Sequence, residues 1–68
     1  MNHLTKKQKR VLKNYMVEIV KSKRSVSSND LVNVTALNVP FANRHHISGM
    51  INGLKVQGIL DYQNGVVS

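Results

Sequence analysis

The dipeptide Asn64-Gly65 constrains this chain more than any other pair of residues in it. Both residue types accept the left-handed backbone that a two-residue hairpin turn demands at its centre, and few other pairs do. Ile59-Leu60-Asp61-Tyr62-Gln63 before it and Val66-Val67 after it carry aromatic and β-branched side chains suited to paired strands. One antiparallel hairpin is therefore expected over about residues 59–67. The chain before it follows a different period.

From Leu4 to about Ser22, the residues Leu4, Val11, Leu12, Tyr15, Met16, Ile19 and Val20 recur at helical spacing. At about 100° per residue they gather into one stripe. Lys6, Arg10, Lys13 and Lys21 occupy the opposite side, with Lys7 and Lys9 on its flanks. This predicts a basic amphipathic helix one over about 4–22, its apolar face the lid of a small core. Lys23–Val26 reads as a short break. Ser27-Ser28-Asn29-Asp30 resembles a capping box with Asp in the place of Glu or Gln. It opens helix two over about 28–37, with Leu31, Val32, Val34 and Leu37 as apolar positions. Val39 precedes Pro40 and resists helical geometry. Helix three begins either at Pro40 as a first helical residue or at Asn43 as an N-cap, and spans about 41–57. Ile47, Met50, Ile51 and Leu54 form its buried stripe, and Gly58 stops it. The fold class expected is mainly α, a small α+β arrangement of three helices and a C-terminal hairpin, in one domain over 1–68.

With 68 residues the core is thin, and no cysteine is present to staple it. That count excludes disulfides, Cys-based zinc sites, thiol redox chemistry and cysteine nucleophiles. No apolar run approaches the roughly 20 residues that span a bilayer. The basic N-terminus lacks the apolar core of a signal peptide, so a cytoplasmic protein is expected. The three acidic residues are scattered, and no Ser/His/Asp set or Gly-rich phosphate loop is present. Neither an enzyme, a cofactor nor a small-molecule effector is expected. Adjacent histidines on a helix point about 100° apart, and no acid or Cys completes the set, so His45 and His46 with His3 are not expected to make a metal site.

The formal charge is +7, and eight of the ten basic residues fall within the first 24. Lys6, Lys7, Lys9 and Arg10 lie near a helix start, where the macrodipole disfavours each cation by about 0.3–1 kcal/mol. Acidic residues would solubilise the chain better there. The concentrated field points to a polyanion, with nucleic acid first and an anionic membrane or an acidic protein after it.

From Ser27 to Val67 the chain resembles a winged helix-turn-helix DNA-binding domain. The run Asp30-Leu31-Val32, then Thr35-Ala36-Leu37, a turn, and Ile47-Ser48 with Ile51, Leu54 and Gly58-Ile59-Leu60 before a hairpin carries the resemblance. Ala36 stands where such turns often hold glycine. The connection Leu37–Ala42 is longer than the usual three or four residues, which either alters the pose of helix three or seats Phe41 in the core. The resemblance implies that helix three enters the major groove. Small proteins of this type resemble regulators and excision factors of phages and other mobile elements.

Opposite Ile47, helix three carries His45, Ser48, Gly49, Asn52 and Val56, flanked by Arg44 and Lys55. Short polar groups reach base edges and marginal cations take phosphates. The expected base-reading set is Arg44, His45, Ser48, Gly49 and Asn52. Lys6, Lys7, Lys9, Arg10, Lys13, Arg24, Ser27, Ser28 and Lys55 are expected at phosphates, the serines through the amides of a helix N-terminus. The wing tip, Gln63, Asn64 and Gly65, offers hydrogen bonds without charge. Gly49 and Gly53 each cost roughly 1 kcal/mol against Ala inside a helix, so close packing or close approach to a ligand must favour them. The expected partner is double-stranded DNA, bound by a homodimer or a cooperative assembly and nucleoid-associated when bound. An acidic protein and structured RNA are the alternatives.

Overall fold

In the computed structural model, which describes residues 3–68, Thr5 rather than Leu4 sets the start of the first helix. The Gln8 amide donates to Thr5 Oγ1 at 3.1 Å, and the Thr5 amide donates to Gln8 Oε1 at 2.9 Å. This reciprocal pair satisfies two otherwise orphaned donors. Helix α1 runs Lys6–Lys23 and buries Leu12, Met16 and Val20, one per turn. Tyr15 and Ile19 are half-buried, and Val11 is exposed. Leu4 lies ahead of the helix and packs against the core from there.

After α1 the chain turns at Arg24, whose φ is +65°, and forms a two-residue strand, β1 (Val26–Ser27). The sequence period had predicted only a break there. Ser27 also serves as N-cap of α2 (Ser28–Asn38), its Oγ accepting from the Asp30 amide at 3.1 Å. Leu31, Val32 and Thr35 are the buried positions of α2. Leu37, expected in the core, is 83% exposed. At about 100° per residue it falls nearly opposite the mean direction of those three, so the helix turns it outward. Thr35 takes the inner place, and its buried hydroxyl has no partner among the described residues.

Val39 and Ala42 anchor the α2–α3 connection, while Phe41 remains at the surface. The longer connection thus buries its two smaller apolar side chains and not its ring. Helix α3 (Arg44–Val56) is capped by Asn43, the later of the two starts expected, and Pro40 lies outside it. Its cap is also reciprocal: the His46 amide donates to Asn43 Oδ1 at 2.9 Å, and the Asn43 amide donates to His46 Nδ1 at 3.2 Å. Ile47, Ile51 and Leu54 are buried, with Met50 beside them. The Ile59 amide returns to the Leu54 carbonyl at 2.9 Å and the Gly58 amide to Lys55 at 3.0 Å. That double closure requires the left-handed backbone that Gly58 supplies at φ +76°.

Strands β2 (Tyr62–Gln63) and β3 (Val66–Val67) pair antiparallel across Asn64 and Gly65, both at positive φ, as the dipeptide predicted. Strand β3 lies in the middle of a three-stranded sheet of order β1-β3-β2. Val26 opposes Val67 and Ser27 opposes Val66 on its far side. Val67 closes the core beneath the helices, fully buried. The architecture is mainly helical α+β, three helices with a small antiparallel sheet in a winged-helix-like arrangement.

Candidate nucleic-acid interface

Because Ile47, Ile51 and Leu54 hold α3 to the core, its opposite side is set outward. His45, Ser48, Gly49, Asn52 and Val56 are all exposed there, and together they form one polar ridge broken by glycine and valine. The ridge has different neighbours on its two sides. On one, Arg44 Nη1 donates to Asn33 Oδ1 of α2 at 3.0 Å, and Lys55 Nζ sits 5.9 Å from the centre of the Tyr62 ring in the wing. Both flanking cations are thus steadied by neighbouring elements. Asn33 gave no signal in the sequence that it would hold Arg44.

On the other side lies α1. Between its N-terminal half and α3 runs an open groove of about 490 Å³. Lys9, Arg10 and Lys13 form its basic wall, facing His46, Gly49 and Gly53. Leu4, Met50 and Leu54 give it apolar surface. No acidic side chain lines it. The structure therefore brings three of the expected phosphate contacts beside Gly49. Lys6 and Lys7 continue the same positive end, exposed. Among the described residues none of these five cations makes a side-chain hydrogen bond or ion pair.

Arg24 belongs to a different place. Eighteen helical residues at 1.5 Å each separate the ends of α1 by roughly 27 Å, so Lys21, Lys23 and Arg24 form a second basic cluster beside β1. There the serines are already engaged. Ser27 Oγ caps α2, and the Ser28 amide donates to the Gly65 carbonyl at 2.7 Å. The Tyr62 hydroxyl reaches Ser28 Oγ only at 3.5 Å, a long contact. Sequence reasoning had left these groups open to a phosphate; the wing, docked on the start of α2, occupies the Ser28 amide. Gln63, Asn64 and Gly65 remain exposed.

Gly49 and Gly53 have no packing explanation. Beyond its chain neighbours and its own helix backbone, a Cβ on either meets none of the described residues within 4 Å, and neither has positive φ. Among the described residues no three of His, Asp and Glu gather as a metal ion would require. No described helix is long and apolar enough to cross a membrane. Comparison with protein-family models, curated proteins and solved structures finds no match to the chain.

Proposed function

We propose that this protein binds duplex DNA as a winged-helix regulator or excision-type architectural factor. In this reading the α3 ridge lies in the major groove, and α1 neutralises the flanking phosphates. The observation that carries it is the groove that sets Lys9, Arg10 and Lys13 beside Gly49 of the exposed polar ridge, none of the three cations paired within the described residues. Asn52 offers a donor and an acceptor to an adenine edge, Ser48 suits any base, and Arg44 takes guanine or phosphate. His45 lies on the same ridge. The uncharged wing tip and Arg24 add contacts outside the groove that α3 occupies.

The longest extent of the molecule is 30 Å, less than the roughly 34–36 Å of one helical turn of DNA. One copy thus reads only a few base pairs, and useful affinity calls for a homodimer or cooperative binding. Regulation would follow from abundance or competition for the site.

Site selection from random duplexes tests the reading. Asn52→Ala and Arg44→Ala are expected to relax the preferred sequence at defined positions, each costing about 1–3 kcal/mol. Lys6→Ala is expected to weaken all sequences alike and to lower the salt slope by about one. An unchanged selected sequence in both α3 variants refutes specific readout.

A further inference from the structure

The groove between α1 and α3 has a composition that duplex binding does not require. Along α3 it extends from His46 to Gln57, roughly 16 Å at 1.5 Å per residue. Its volume is about 490 Å³. Met50, Leu54 and Leu4 make part of its lining apolar, which gives a hydrated phosphodiester nothing to pair with. Gly49 and Gly53 stand one turn apart on the α3 side, in space where a side chain would meet no neighbour. Their bare backbone lets another main chain come closer than any larger residue would allow. Across from them Lys9, Arg10 and Lys13 supply positive charge that no acid in the lining offsets.

We propose that this groove docks an acidic amphipathic helix of another protein. The apolar face of that helix lies on Met50 and the two glycines, and its acidic flank meets Lys9, Arg10 and Lys13. The length exceeds the roughly 11 Å over which helix-in-groove anchors at i, i+3 or i+4, and i+7 are spread, so it accommodates such a contact. Charge excludes a second copy as occupant. This chain has three acids, Glu18, Asp30 and Asp61, one on each of three separate segments, so it holds no acidic stripe to offer. The proposal does not rest on the duplex reading, and the two ligands would compete for Lys9, Arg10, Lys13 and Gly49.

Selection from a phage-displayed library of random peptides on the immobilised full chain tests it. Enriched peptides should show Asp or Glu beside apolar residues at helical spacing. Fluorescence anisotropy of the best peptide should show at least a roughly tenfold loss of affinity with Gly53→Leu, which fills the groove without opposing the helix. Circular dichroism confirms that this variant folds. The double variant Lys9→Glu/Arg10→Glu changes exposed positions and should lose affinity comparably. No enrichment, enrichment without the acidic helical pattern, or equal binding to Gly53→Leu overturns the proposal. So does a short duplex that loses affinity on Gly53→Leu as strongly as the peptide, which assigns the groove to nucleic acid.

Discussion

Gly58 and Gly65, in the segment that joins α3 to the wing, differ in kind from Gly49 and Gly53 inside α3. The first two have φ of +76°, a backbone state closed to most side chains, and each completes a hydrogen-bonded turn. The second two are in ordinary helix, where Ala would be better and where nothing nearby forbids it. The same residue type is thus demanded by the fold in one region and disfavoured by it in the other. A residue that folding disfavours, on a surface groove beside unpaired cations, points to a requirement outside the folded chain. Arg24 is the converse case, a long charged side chain at φ +65° where glycine would relieve the backbone.

Four substitutions would break or sharpen this division, each followed by urea denaturation. Gly65→Val should have the largest effect, a loss of about 2 kcal/mol, because a β-branched residue at positive φ opposes the turn. Gly53→Ala should act in the opposite direction, stabilising by about 1 kcal/mol; a loss instead would show that the fold does require that glycine. Arg24→Gly is expected to gain somewhat less than 1 kcal/mol, since the relief of strain is partly offset by the freedom glycine adds to the unfolded chain. If the proposed duplex binding holds, its duplex affinity should fall, as one of the cations proposed to contact phosphates is lost. Asn64→Gly should change stability by only a few tenths of a kcal/mol, because asparagine already tolerates the left-handed state.

The helices and the hairpin were legible because each has a period or a turn chemistry of its own. The caps were less so. His46 closes the α3 cap with a ring nitrogen in the place of a Glu or Gln carboxylate or amide oxygen, and sequence rules do not anticipate it. Strand β1 has two residues, too few for an alternation, and exists only because β3 offers it a partner from the far end of the chain. Leu37 and Thr35 exchanged expected places because hydropathy alone ranked leucine higher, whereas the phase of α2 decides which position faces inward. At the candidate site, the exposed side of α3 followed from the phase of its buried stripe. The groove did not, since it depends on how α1 crosses α3, and no pattern within either helix encodes that crossing.

The central position of β3 also imposes an order in time. Its residue Val67 pairs with Val26 from about forty positions away, so the sheet can close only after a long loop has been brought together. Each helix draws its hydrogen bonds from its own neighbours and has no such delay. The wing should therefore be the late step of folding and, by the same token, the first part to open. In a native protein exposed to deuterated water, the backbone amides of Val26 and Val67 should exchange well before those of Leu12 and Ile51.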